Sequence, residues 1–171
     1  HPNYINKIAE GLRKLQSEEY VAIDIETSSL NPYDGNRIIS IAVSNYEYTI
    51  AFEMHFSIFP ILENFILSSG KNIFHNIKFD LQWNVVLFGT HIVYLTEYED
   101  TLALAYILDE RTAKQKEGPL SLAFLTRLYF GFNIKELSTI DKSNLASVNI
   151  EDTLIYNGRD WQTIQLPHEE N

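Results

Sequence analysis

The stretch Tyr20 to Thr27 reads Tyr-Val-Ala-Ile-Asp-Ile-Glu-Thr, and its strict alternation constrains the chain more than any other feature. In an extended strand, Val21, Ile23 and Ile25 point to one face and Ala22, Asp24 and Glu26 to the other. The apolar face calls for burial, so two carboxylates sit side by side on a strand that belongs inside a sheet. Unpaired charges in such a place cost on the order of several kcal/mol, and a divalent cation is one of few partners that justifies both. The plain alternative is a sheet edge carrying two solvated acids. The remainder of the chain has to decide between them.

Periodicity along the chain lays out the elements around this strand. Ile5 to Gln16 reads as an amphipathic helix with Ile5, Ile8, Leu12 and Leu15 on one side. Tyr20–Glu26, Arg37–Ser44 and Glu47–Phe52 read as strands, the first pair joined by a Pro-Tyr-Asp-Gly-Asn segment and the second by Asn45-Tyr46. Connections this short predict antiparallel neighbours. Pro60–Ser68 predicts a helix, Asn72–Phe74 a short buried strand, Lys78–Phe88 a helix ended by Gly89, and His91–Leu95 a fifth strand. Asp100–Leu108 and Leu120–Tyr129 are expected to be helical, the second closed by Gly131; residues 138–148 are polar and irregular. A last helix is expected over Ile150 to Leu166, stopped by Pro167. Strands first, then strands alternating with helices, indicate an α/β fold with a mixed sheet, in which ligands sit near strand ends. Asp24 and Glu26 lie near the end of the first strand, where such a site would be.

Two further constellations carry acids. His75-Asn76-Ile77-Lys78-Phe79-Asp80 runs from a short strand into a helix. Asp80 is also what the helix dipole favours in a first turn, His75 alone reads as a hydrogen-bonded core residue, and Asn76 as a cap. In Tyr156-Asn157-Gly158-Arg159-Asp160, Tyr156 and Asp160 are four apart and share one helical face, a pairing also common by chance. Gly158 in mid-helix costs about 1 kcal/mol relative to alanine, which suits a close-packing requirement. Asp100-Thr101 opens a helix, and N-capping accounts for Asp100.

Composition narrows the chemistry. At 171 residues the chain is expected to form one domain, residues 1–171, burying about 70% of its unfolded surface. There is no run of eighteen apolar residues and no signal-peptide pattern, so neither a membrane span nor secretion is expected. The absence of cysteine excludes disulfides and thiolate metal ligands and fits an intracellular location. A formal charge of −10 argues against a general nucleic-acid binder, since phosphate affinity comes mainly from lysine and arginine. Metal-holding carboxylates account for part of that charge, and a domain gripping only the last nucleotides of a strand needs few phosphate contacts. The start at His1-Pro2 predicts a piece excised from something longer.

Hydrolysing a phosphodiester requires an activated water in line with the leaving oxygen and stabilisation of charge on both sides. Two divalent ions about 3.5–4 Å apart provide this. Mg²⁺ and Mn²⁺ take oxygen ligands, so an Asp/Glu set without cysteine suits them. Asp24, Glu26, Asp80 and Asp160 would form such a cluster if the last helix packs beside the first strand. Tyr156, one turn from Asp160, would then reach the attacking water.

The order and local context of these motifs resemble a known family. Asp24-Ile25-Glu26-Thr27-Ser28-Ser29-Leu30, His75 to Asp80, Asp100-Thr101 and Tyr156 to Asp160 are similar to the motifs of the DEDD 3′–5′ exonucleases. Within these, the chain resembles the tyrosine subclass, and specifically the proofreading domain of family A DNA polymerases. Leu120-Ser121-Leu122 with Tyr129-Phe130-Gly131 is similar to the helical segment that precedes that family's third motif. The resemblance runs from Tyr20 to Leu166. It implies an RNase H-like (DnaQ-like exonuclease) fold, a mixed five-stranded sheet flanked by helices, and release of 5′-mononucleotides from a DNA 3′ end.

Carried over motif by motif, the resemblance implies Asp24, Glu26, Asp80 and Asp160 as ligands of two Mg²⁺ or Mn²⁺ ions and Tyr156 as the residue that positions the water. It implies Thr27 and Leu30 against the terminal nucleotide, Asn76 holding the strand, Phe79 supporting the second motif, and Ile134 against a splayed base. The implied partners are a single-stranded or frayed DNA 3′ end and a polymerase domain in the same chain. Two departures stand out: Trp161 follows Asp160 where the family has a small residue, and the chain stops soon after the third motif. An RNase D-like exoribonuclease shares the chemistry; the Leu-Ser-Leu segment and the lack of an appended basic RNA-binding region weigh for DNA. An inactive exonuclease-like interaction module is the alternative of another class, and the presence of all four acids and the tyrosine weighs against it.

Overall fold

In the computed structural model, which describes residues 2–108, 118–131 and 149–161 (side chains of Pro2 and of residues 157–161 excepted), the alternating stretch becomes strand β1, Tyr20–Thr27. Helix α1, Pro2–Leu15, precedes it and buries Ile8, Leu12 and Leu15 of the stripe its period predicts, while Ile5 is half-buried. Strands β2, Ile38–Ser44, and β3, Thr49–Glu53, pair antiparallel with β1 and with each other in turn. Their hairpin is closed by Asn45, whose side-chain oxygen accepts from the backbone N–H groups of Glu47 and Tyr48 at 3.0 and 2.7 Å. Helix α2, Phe59–Ser68, starts with Pro60 in its first turn, where the missing N–H costs nothing. Strand β4, Lys71–Phe74, then pairs parallel with β1. Helix α3, Ile77–Phe88, ends at Gly89, whose φ of 100° is readily available only to glycine.

The segment after Gly89 departs from expectation. His91–Leu95 is a short helix, α4, and the fifth strand is β5, Tyr98–Asp100, parallel to β4. A strand would put Ile92 and Tyr94 on one face, but Ile92 is buried and Tyr94 is exposed, so one anchor and a helical turn satisfy the segment. Tyr-Glu-Asp, three residues with two acids, carries no periodic signal; β5 exists because β4 offers it a partner edge. Helix α5, Thr101–Leu108, follows. Helix α6, Leu122–Phe130, begins at Ser121, whose hydroxyl accepts from Phe124 N at 3.2 Å, and is closed by Gly131 with φ 77°.

The sheet order is β3-β2-β1-β4-β5. One face, with Val21, Ile23, Ile25, Ile41, Val43, Phe52 and Phe74, packs on α1 and α2 in the main core. The other face is set with small side chains: Ala22, Ala42 and Ala51 form a separate cluster with Ile73 and Leu122. The last helix, α7, Ile150–Trp161, lies across β2, β3 and β1, and the short side chains let its backbone come close to the sheet. Asn149 caps it by accepting from Glu151 N at 3.1 Å. Thr153 and Tyr156, three apart, are its buried positions among those described. Residues 138–148, Ile134 and the expected continuation of α7 to Leu166 and Pro167 lie outside the described residues. Among the described residues no helix is long and apolar enough to cross a membrane.

Candidate active site

Strand β1 delivers Asp24 and Glu26 to the face opposite the main core. There Asp24 stands beside Ala42 and Glu26 beside Ser40 of β2, and the pairing register slips between Glu26 and Thr27. That irregularity ends the regular ladder and starts the loop to β2 directly beyond the acids. Glu26 is only 8% exposed; Asp24 is half-buried. In the loop, Thr27 Oγ1 donates to Ser29 O at 2.7 Å, and Leu30 stands 83% exposed. The loop itself is braced: Asn36 Nδ2 donates to Asn31 O at 3.0 Å and Tyr33 O at 2.7 Å, and Ser28 Oγ accepts from Arg37 N at 2.9 Å.

The junction of β4 and α3 supplies Asp80. Asn76 occupies the N-cap position of α3 in a left-handed conformation, φ 71° and ψ 53°, and its side chain makes no capping hydrogen bond. The orphan N–H groups there are served by Asp100 instead. Its Oδ1 accepts from Asn76 N at 2.9 Å and its Oδ2 from Ile77 N at 3.3 Å. The same Oδ1 accepts from Leu102 N at 3.0 Å, so Asp100 caps α5 as well. Its neighbour Thr101 donates to Phe74 O at 3.1 Å, and His75 Nδ1 pairs with Thr101 Oγ1 at 3.0 Å. The end of β5 therefore clasps the end of β4. Capping of α5 was readable in the sequence; the bonds to Asn76 and Ile77, more than twenty residues away, were not.

This clasp makes a prediction. Asp100→Ala removes a charged acceptor from three backbone N–H groups and is expected to lower unfolding stability by about 2–4 kcal/mol. Urea titration reads it directly, and a loss under about 0.5 kcal/mol would show that the clasp contributes little.

Asp80 lies in the first turn of α3 and is 5% exposed. Burial pushes its carboxyl well above the usual carboxylate range, and the negative charges of Asp100 and Glu26 push it the same way. The structure thus brings Asp80 of α3 and Glu26 of β1 within electrostatic reach of each other. His75 is pushed below its ordinary value by burial, against the pull of Asp100, in keeping with a structural histidine.

The other sequence-derived residues fall as follows. Tyr156 is 7% exposed on α7, the helix that covers β1, β2 and β3. Asp160 is one turn further along α7; its side chain lies outside the described residues, as does Ile134. Asn76 is exposed at the start of α3, and Phe79 packs edge-on against Trp83 with ring centroids 6.5 Å apart. Among the described residues no three His, Asp or Glu side chains converge tightly enough to hold a metal ion. The donor chemistry nevertheless fits one. Glu26 and Asp80 are buried oxygen donors pressed against like charge, which a hard divalent cation would relieve.

Comparison with known proteins gives a consistent result. A family model described as 3′–5′ exonuclease matches residues 5–168. The DNA polymerase I of Borreliella burgdorferi is 31% identical over 161 residues, covering 87% of this chain and 17% of that protein. The chain thus spans about a sixth of the length of that relative. Among solved structures, Brucella melitensis NrnC with bound Mg²⁺ superposes with a TM-score of 0.65 at 24% identity, covering 89% of this chain and 70% of that one. Escherichia coli RNase D, an exoribonuclease involved in structured RNA processing, superposes at 0.63 with 17% identity, covering 93% and 39%. At these identities the two structures share the fold.

Proposed function

This chain belongs to the 3′–5′ exonuclease family, a family of hydrolytic, divalent-metal-dependent nucleases, and on that premise we propose that it trims DNA 3′ ends as the editing domain of a DNA polymerase. The observation that carries the proposal is that Glu26 and Asp80, both buried, lie within electrostatic reach of each other from elements more than fifty residues apart. The 31% identity to a DNA polymerase I favours DNA as substrate and favours a polymerase domain in the same parent chain, acting where DNA is replicated.

Asp24, Glu26, Asp80 and Asp160 would hold two Mg²⁺ or Mn²⁺ ions; NrnC, which shares the fold, is seen with Mg²⁺. When bound, such ions lower the pKa of water and offset charge on the leaving 3′ oxygen. The chain's own residues supply position. Tyr156, fixed in a buried site on α7, would hydrogen-bond the water and aim it in line. The water oxygen bonds to phosphorus, the bond from phosphorus to the preceding 3′ oxygen breaks, and that oxygen takes up a proton, leaving a 5′-mononucleotide. Leu30 would wedge against the terminal base and Thr27 would contact its sugar. Asn76, Phe79 and Ile134 complete the proposed strand contacts. Apolar wedging tolerates any base, as editing requires.

A 3′-end-labelled panel of single-stranded DNA and RNA tests this. Mg²⁺- or Mn²⁺-dependent mononucleotide release, faster on DNA, is expected. Excess chelator is expected to abolish it, and Asp24→Ala to reduce it at least about a hundredfold. Faster cleavage of RNA would replace the editing assignment with an RNase D-like one. Silence on both substrates with both metals would make this an interaction module.

A further inference from the structure

Away from the acidic residues, a cavity of about 320 Å³ opens between the loop leaving β1, the His55–Phe56 corner and the Trp83–Leu87 stretch of α3. Pro32, Arg37, His55, Phe56, Trp83 and Leu87 help to line it. Phe56 is 72% exposed, and the His55 ring lies 4.3 Å from it at a tilt of 41°, widening the aromatic surface. Arg37 is exposed, and its guanidinium makes no ion pair or hydrogen bond among the described residues. Trp83 is buried in the main core and closes the inner side of the cavity.

One ligand chemistry meets these features together. A flat heteroaromatic ring stacks on Phe56, and an attached phosphate pairs with Arg37. That is a nucleotide. Its source follows from where the cavity lies. The loop that walls it starts at Thr27, directly after the acids, and presents Leu30 on the way. Trp83 and Leu87 follow Asp80 on the same helix, by three and seven residues, so the far wall is about 10 Å along the axis from that acid. A strand whose end is at the acids reaches this far. We propose that the cavity is a subsite for an unpaired base of the strand being trimmed, remote from the scissile bond. The proposal rests on the exonuclease reading above.

The test uses single-stranded DNA from dinucleotide to octanucleotide and the variants Phe56→Ala and Arg37→Gln, compared with the unaltered enzyme. The unaltered enzyme is expected to show a drop in KM once the strand is long enough to reach the cavity. Phe56→Ala is expected to raise KM about tenfold on the octanucleotide while leaving dinucleotide kinetics unchanged. Arg37→Gln is expected to flatten the slope of log affinity against log salt by about 0.7, which a structural defect would not do. Equal losses on short and long strands would overturn the subsite, as would an unchanged length dependence. A change confined to inhibition by free nucleoside 5′-monophosphate would overturn it too, by reassigning the cavity to the product. Absence of hydrolysis by the unaltered enzyme would instead overturn the exonuclease reading, so the two failures are distinct.

Discussion

Asp80→Asn is expected to cut mononucleotide release by about a thousandfold or more and, in the same protein, to raise the melting temperature of the metal-free form. The loss follows from the proposed role: an amide is a poorer ligand for a hard cation, and stabilisation of developing charge at such sites is worth several orders of magnitude. The gain in stability follows from burial. Asp80 is 5% exposed with Glu26 and Asp100 nearby, and its carboxyl is raised well above the ordinary value. The folded state therefore holds a proton that the unfolded state has released, over the window from about pH 4 up to the raised value. Across that window the contribution of Asp80 to the metal-free protein falls as pH rises; below it the penalty vanishes. Asparagine removes the penalty at every pH, so the advantage of the variant is expected at neutral pH and not below pH 4. A gain of about 1–2 kcal/mol corresponds to a few degrees. Melting curves in chelator across this range decide it. A variant less stable than the parent at neutral pH would mean that Asp80 is paid back by neighbours outside the described residues.

The same reasoning predicts how metal acts. A cation that binds only the folded state adds stability in proportion to the logarithm of its concentration over Kd. Mg²⁺ is thus expected to raise the melting temperature of the parent much more than that of Asp80→Asn.

Tyr156→Phe is the second large effect, expected to lower kcat by about a hundred- to a thousandfold while KM changes little. Tyr156 is 7% exposed on α7, so phenylalanine fills the same space and the helix keeps its seat on β1, β2 and β3. What is lost is the hydroxyl. If it orients water for attack, its contribution appears in the transition state and not in ground-state binding. A rise in KM with kcat intact would move Tyr156 from the reaction to strand binding. A wild-type rate would remove it from the site.

Much of the architecture was legible because some segments declare themselves locally. The period-two pattern of β1, the stripe of α1 and the Asn45 turn each depend on residues close in sequence, and each formed as read. Strand β5 was not legible, because Tyr98–Asp100 is a strand only by pairing with β4. His91–Leu95, expected as a strand, forms a helical turn in which a single buried Ile92 suffices as anchor. At the site, the sequence picked out the acids but not their surroundings. A first-turn aspartate is ordinarily solvated, and nothing near Asp80 in sequence says that it is buried within electrostatic reach of Glu26. Asp100 was legible as a cap of the helix that follows it, whereas its grip on Asn76 and Ile77 is a product of β4 and β5 lying parallel.

That grip also sets a timetable. A chain synthesised from its N-terminus has made β1 to β4 and Asp80 well before it has made Asp100 and Thr101, and α7 comes later still. Until β5 docks, the backbone N–H groups of Asn76 and Ile77 lack their acceptor, and the turn that aims Asp80 has no lock. The acidic pair on β1 would be in place early, but the cutting centre would mature only as the final segments arrive. If the proposed acids form the cutting centre, a nascent chain would be expected to cut only after α7 has left the ribosome.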